Sequence, residues 1–392
     1  MRKRRIAMHV DPNRTDRGAA ASQMELWSKR RSSDPRLRLN AISPYYTMFP
    51  LAFPLRVLAG AERGWVLDPF CGRGTTNFAA RLAGFPTVGV DINPIAVAIA
   101  QAKLASTTVH GVVERCQQIL ESEAPGDVPD GEFWSWCFHQ KTLEDVCRLR
   151  QALSDVQTEE DIVLRALVLG VLHGPRNKGL PSYLSNQMPR TYATKPDAAV
   201  RYWKSRGIHP VYVDVLDVVR RRAEHVLSHV PDKVPGFVRL ADSRTLAPDD
   251  FAMRFRYVIT SPPYFGMKTY VSDHWLRHWF LGGPPYVDYA SDPQLGRPSL
   301  LAFIEGLREV WTRVSQVCEP GALLVVRFGA IPSYEVDPIE VLRASLSGTP
   351  WKERRLCDAG SASNGRRQAD QFQFVRSRAT LEVDLYASLE EA

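Results

Sequence analysis

Two short clusters in this 392-residue chain carry residue types and spacings suited to chemistry on a small ligand. The first is Asp68-Pro69-Phe70-Cys71-Gly72-Arg73-Gly74-Thr75, which follows the apolar run Trp65–Leu67. A glycine turn between a strand and a helix lets backbone N–H groups approach a ligand at the strand's carboxyl end. Asp91 stands seventeen residues after Gly74, at the end of a second apolar run. A carboxylate in that place can accept hydrogen bonds from ribose hydroxyls. The second cluster is Ser261-Pro262-Pro263-Tyr264, directly after the apolar run Tyr257–Thr260. Proline fixes φ and offers a carbonyl without a competing N–H. The Ser261 hydroxyl and the Pro262 carbonyl can therefore both accept from one exocyclic amino group, while Tyr264 presents a flat face to a base.

Other chemistries lack their residues. A G-x-G-x-x-G dinucleotide fingerprint fails because Asn77 stands at its third glycine, and there is no G-x-x-x-x-G-K-[ST] phosphate loop. Cys71 lies inside the glycine turn and reads as a packing residue; a thiol nucleophile in a Pro-Cys motif is absent. The six cysteines are scattered, without a C-x-x-C pair or zinc-ligand spacing, which predicts a reduced, cytoplasmic protein with no metal site. His274 and His278 have the spacing to share a helix face, but no third ligand accompanies them and they read as packing or surface residues. Trp134 and Trp136 read as core.

The elements needed to position the two clusters are those of an α/β fold. Residues 65–105 alternate strand, loop, helix, strand, helix, with Gly84 ending one helix and Pro94 opening the next, which is a parallel β-α-β unit. Residues 106–235 change to helical periodicity at about 141–155, 159–173 and 196–230, with a loop-rich stretch at 174–195. Strands return at 237–241, 256–260 and 322–328, around a helix at Leu300–Val317. Further strands are predicted at 351–357, 371–376 and 380–386, the last two as an antiparallel hairpin. Four regions follow: a basic arm (1–40), a first sheet segment with the glycine turn (41–105), a helical insertion (106–235) and a second sheet segment with the Ser-Pro-Pro-Tyr cluster (236–392). The arm holds eleven Lys/Arg against four acids and so carries the whole net charge of +7, which suits either a polyanionic partner or a solvated tail. The most apolar stretch, Ile162–Leu172, contains Arg165 and is too short to span a bilayer, so no membrane association is expected.

With both clusters in this order, the chain resembles the S-adenosylmethionine-dependent amino methyltransferases of DNA, of the type that forms N4-methylcytosine. The resemblance implies a Rossmann-like seven-stranded methyltransferase sheet with an antiparallel C-terminal hairpin, and S-adenosylmethionine as cofactor. It assigns cofactor contacts to Asp68, Phe70, Gly72, Gly74, Thr75, Asp91, Asn93 and Asp242, and to Tyr45 within a covering segment at 43–50. It assigns catalysis to Ser261, Pro262, Pro263 and Tyr264, the serine form being typical of the N4-cytosine enzymes. Double-stranded DNA is the implied partner, with a cognate restriction endonuclease in a restriction–modification or phage-defence setting. Target recognition would fall to 106–235, where Leu184–Arg190 would touch DNA or cover the cofactor. In many serine-type enzymes the catalytic motif comes first; here it comes second. The alternatives are an adenine-N6 enzyme, an RNA guanine-N2 enzyme (which usually carries Asp-Pro-Pro-Tyr) and a catalytically inactive DNA-binding subunit.

Overall fold

The computed structural model describes residues 34–45, 49–175, 179–188, 195–266, 271–287, 299–331, 336–361 and 381–390, excepting the side chains of 271–273, 360, 361 and 381. Seven strands form one sheet: β1 (Trp65–Asp68), β2 (Thr87–Asp91), β3 (Gly236–Leu240), β4 (Phe255–Thr260), β5 (Cys318–Gly329), β6 (Trp351–Ser361) and β7 (Leu381–Leu389). Their order is β3-β2-β1-β4-β5-β7-β6. The first five run parallel, and β7 pairs antiparallel with both β5 and β6. This is the expected Rossmann-like methyltransferase arrangement, including its antiparallel end. The partner of β7 is residues 351–361 rather than the expected 371–376, which lie outside the described residues.

The helices are α1 (Ala52–Leu58), α2 (Thr75–Leu82), α3 (Pro94–Ala102), α4 (Val109–Leu120), α5 (Glu132–Cys137), α6 (Gln140–Ala152), α7 (Glu159–Val171), α8 (Pro196–Ser205), α9 (Val215–Val226), α10 (Val271–Phe280), α11 (Leu300–Val317) and α12 (Pro338–Leu346). Successive strand residues face opposite sides, and the buried sets divide accordingly. Leu67, Val258, Leu324 and Val326 pack with Phe303, Leu307 and Trp311 of α11. Val66, Tyr257, Ile259 and Val325 pack with Phe53 and Leu58 of α1 and Ala80 of α2. Both faces are thus covered, as parallel strands with near-continuous apolar runs require.

The helical segment is a third layer rather than a separate body. Ile95 and Ile99 of α3 share one buried cluster with Val112 of α4, Trp134 of α5, Leu149 of α6, Leu167 of α7, Trp203 of α8, Val219 of α9 and Trp279 of α10. The single helix expected over 196–230 is two, broken by Gly207 at φ +59° and by Pro210. The basic arm is expected to reach residue 40, but its end is docked. Pro35–Ala41 forms a 3-10 turn with Leu39 fully buried, and Arg38 donates to Ser228 Oγ at 3.1 Å. Residues 1–33 of the arm lie outside the described residues.

Candidate active site

The strand order sets the carboxyl ends of β3, β2, β1 and β4 side by side, and these ends carry Asp242, Asp91, Asp68 and Ser261. Ligands of open α/β sheets bind along this edge.

The glycine turn after β1 is closed by its own hydrogen bonds. Gly74 N–H donates to Cys71 O at 2.7 Å, and Cys71 N–H donates to Val90 O at 3.0 Å. Gly74 has φ +73°, and a Cβ there would lie 2.7 Å from the Ala100 Cβ, so the approach of α3 to the turn requires glycine. Gly72 has φ +49° with open space where a side chain would stand. Asp91 binds the two neighbouring loops together: Oδ2 accepts from Gly72 N–H and Oδ1 from Asn93 N–H, both at 2.8 Å. The Ile92 amide also acts on this carboxylate, so of its roughly four lone-pair sites at least one is left for a ribose hydroxyl. Burial pushes Asp91 up from the ordinary carboxylate value, opposed by these amides. Asn93 caps α3 by accepting from Ile95 N–H, and its amide donates to the Tyr45 hydroxyl at 3.1 Å. Tyr45 is buried, its ring 5.6 Å from that of buried His274. Thr75, the first residue of α2, is buried beside the turn.

Asp68 is fully buried. Its Oδ1 accepts from Phe70 N–H at 3.1 Å and from the Thr260 hydroxyl at 2.6 Å. Its Oδ2 is buried without a well-formed hydrogen bond among the described residues. Burial pushes this carboxyl up to about 6, opposed by the Thr260 hydroxyl. The Thr260 bond joins the end of β4, immediately before Ser261, to the end of β1. A second tie runs in parallel, from the Thr76 hydroxyl to Ile259 O at 3.1 Å.

After β4, Pro262 is buried, while Ser261, Pro263 and Tyr264 are half-buried. Neither Ser261 Oγ nor the Pro262 carbonyl accepts a hydrogen bond among the described residues, so both acceptors remain available to a ligand. The Tyr264 hydroxyl donates to Glu382 Oε1 at 2.8 Å, and its ring meets Phe328 edge-on at 5.4 Å. Phe70 likewise meets Trp311 edge-on at 6.1 Å, on the side of α11.

Asp242 is engaged differently from the other acids. It caps a 3-10 turn through Arg244 N–H at 2.9 Å and pairs with the Arg244 guanidinium at 2.5 Å, which holds its carboxyl below the usual range. Ala241 N–H donates to Asp91 O at 3.1 Å and keeps the two strand ends in step. Burial, reinforced by Asp91 and Asp68, pushes the Cys71 thiol well up, so it stays protonated as a packing residue should. In the loop at 174–195, the Asn186 amide donates to the carbonyls of Trp136 and Ile208, so this side chain is spent on holding the helices together. Residues 46–48 of the covering segment and residues 176–178 and 189–194 of this loop lie outside the described residues. Sequence reasoning missed Glu382, Thr260 and Arg244 as partners of site residues. Arg244 had a local signal two residues from Asp242; Glu382, 118 residues from Tyr264, had none.

Residues 9–102 match the family model N6_N4_Mtase, described as DNA methylase; the span includes the glycine turn, Asp91 and Asn93. The match supports a DNA methyltransferase, and its cofactor is S-adenosylmethionine. The site fits that group: it has an open buried carboxylate oxygen at Asp68, a lone pair at Asp91 and a turn free of side chains at Gly72. Among solved structures, a SAM-dependent methyltransferase from Methanosarcina mazei is 10% identical at TM-score 0.33, covering 84% of this chain and 95% of its own. The rRNA methyltransferase aviRa from Streptomyces viridochromogenes is 12% identical at TM-score 0.33, covering 91% and 94%. TrmN from Thermus thermophilus is 10% identical at TM-score 0.35, covering 92% and 55%. Likenesses this distant carry no argument about activity. No curated protein matches the chain. Among the described residues no helix is long and apolar enough to cross a membrane.

Proposed function

We propose that the protein methylates the exocyclic N4 of a cytosine flipped out of double-stranded DNA. The observation that carries this reading is the 2.6 Å hydrogen bond from Thr260 to Asp68, which fixes the Ser-Pro-Pro-Tyr segment against the cofactor strand. S-adenosylmethionine supplies an electrophilic methyl group. The chain's own contribution is to make the amino nitrogen a nucleophile and to aim it. The N4 lone pair is delocalised into the ring. Acceptance of its two N–H groups by Ser261 Oγ and the Pro262 carbonyl favours a pyramidal nitrogen with a directed lone pair. Alignment of this kind is worth on the order of 7–11 kcal/mol. Extruding the base costs a few kcal/mol, and stacking on Tyr264 returns roughly 1–3 kcal/mol. In this reading Gly72, Gly74, Thr75, Asp91, Asn93 and Tyr45 hold the cofactor with Asp68, Phe70 and Asp242. Residues 106–235 recognise the target, and the basic segment 1–40 contacts phosphates. A cytoplasmic restriction–modification or phage-defence role fits the reading.

Adenine N6 is the second reading, because the matched family model names both amino groups. Expression in a host without DNA methylation, followed by mass spectrometry of its nucleosides, separates them. N4-methylcytosine that disappears with Ser261→Ala is the expected result; N6-methyladenine replaces the base assignment, and modified RNA alone replaces the substrate.

A further inference from the structure

Residues 40–45 run from the buried Leu39 to the buried Tyr45, and side chains from the glycine turn, α3, α9 and α10 grip them on the way. Arg73 of the glycine turn donates to Asn40 O. Arg222 of α9 donates to Ala41 O and, at 3.3 Å, to Ile42 O; Arg277 of α10 donates to Pro44 O at 2.7 Å. Main-chain carbonyls are obligatory acceptors, so these bonds fix the path of the chain itself. α7 completes the seat, since a Cβ on Gly170 would lie 2.7 Å from Ile42 O. Two side chains of the segment are held as well, both by α3. At the amino end of that helix, the Asn93 amide donates to the Tyr45 hydroxyl at 3.1 Å. At its carboxyl end, Lys103 donates to Asn40 Oδ1 at 2.8 Å. Lys103 is fully buried, and burying an amine without a partner is costly. Burial, reinforced by the charge of Arg73, lowers this amine well below its ordinary value. The Asn40 amide oxygen is the neutral acceptor such a group can use. Asn40 itself is half-buried and stands five residues before Tyr45.

We propose, on the reading above that Tyr45 holds S-adenosylmethionine, that Asn40 is a positioning residue for the cofactor. It anchors the start of the segment whose end sets Tyr45 beside Asn93, and cofactor departure waits on release of that anchor. Asn40 acts through Tyr45 and not by contact with the cofactor. Loss of the anchor leaves the Gly72 and Asn93 amides on Asp91 and loosens only the segment. The effect therefore falls on the rate of departure rather than of arrival.

The test follows dissociation of radiolabelled S-adenosylmethionine from the full chain, chased with unlabelled cofactor, beside its association rate and thermal unfolding. Asn40→Ala removes the anchor, Tyr45→Ala removes its target, and the double variant removes both. Where Lys103 stripped of its acceptor unfolds Asn40→Ala, the pair Asn40→Ala and Lys103→Met deletes acceptor and donor together and reads the same rate. The expected result is dissociation about tenfold faster or more in Asn40→Ala, an unchanged association rate, and a double variant no faster than Tyr45→Ala. A purely structural Asn40 would lower the melting temperature and leave dissociation from the folded protein alone; that result overturns the proposal. So do single effects that multiply in the double variant. A fast Tyr45→Ala beside a normal Asn40→Ala removes the anchor and keeps the Tyr45 reading. A Tyr45→Ala that releases cofactor at the wild-type rate removes both.

Discussion

The loops after β1 and β4 lie side by side but are built in opposite ways. The glycine turn is closed locally: its amides are taken by Cys71 O, Val90 O and the Asp91 carboxylate, and Gly74 is wedged against Ala100. Among the described residues, the Ser-Pro-Pro-Tyr segment is tied at its two ends. Thr260 is tied to Asp68, and Tyr264 reaches Glu382 on β7. Between these anchors, prolines replace hydrogen bonds as the source of stiffness. The glycine turn spends its polar groups on its own shape. In the proposed reading, the Ser-Pro-Pro-Tyr loop keeps its acceptors for a ligand and takes its rigidity from the strands that Thr260 and Tyr264 reach.

That contrast predicts which substitutions separate binding from turnover. Ser261→Ala removes an acceptor that has no structural duty, so methyl transfer should fall roughly 10²–10³-fold, about 3–4 kcal/mol. Cofactor affinity and thermal stability should stay put; a variant with full activity sinks the assignment. Gly74→Ala should do the reverse. A left-handed non-glycine residue and a 2.7 Å contact together cost about 2–3 kcal/mol, read as a lowered melting temperature and weakened cofactor binding.

Asp68→Asn probes the strand end between the loops. Its folded-state carboxyl lies near 6 against an ordinary 3.8, so the native state takes up a proton more readily than the unfolded chain. Stability tied to this group is fully present below about 3.8 and is lost as pH rises through about 6. The Asn variant should therefore melt higher than wild type above pH 6, with the gain vanishing near pH 4. A gain independent of pH would reject burial as the cause. Glu382→Gln should have the smallest effect, about 1 kcal/mol or less, because an amide oxygen still accepts from Tyr264. Glu382→Ala should lower turnover more than it raises the KM for DNA, which a purely structural contact would not do.

The same contrast explains what could be read from the chain itself. Strand positions, the Leu300–Val317 helix and the turn glycines follow from local patterns, since period-two apolar runs and left-handed turns are properties of neighbouring residues. The tie between Asp68 and Thr260 spans 192 residues, and that between Tyr264 and Glu382 spans 118. No spacing encodes such pairs; only the sheet order brings them together. The Arg327–Asp384 pair, buried at 2.7 Å between β5 and β7, was hidden for the same reason. The change of period at 106 marks residues 106–235 as a helical insertion. Its apolar faces are nevertheless completed by Ile95 and Ile99 of the sheet's own helix α3.

The place of β7 also governs how the molecule is made. β7 lies between β5 and β6, and among the described residues β6 has no other neighbour in the sheet. While the ribosome is still extending the chain, the β5 edge stays bare, and β6 cannot join the sheet until residues 381–389 emerge. Late, long-range strand pairing of this kind folds slowly and exposes sticky edges. A nascent chain stalled before residue 381 should therefore engage chaperones that a chain with β7 in place does not need, and deletion of β7 should act on yield before it acts on chemistry.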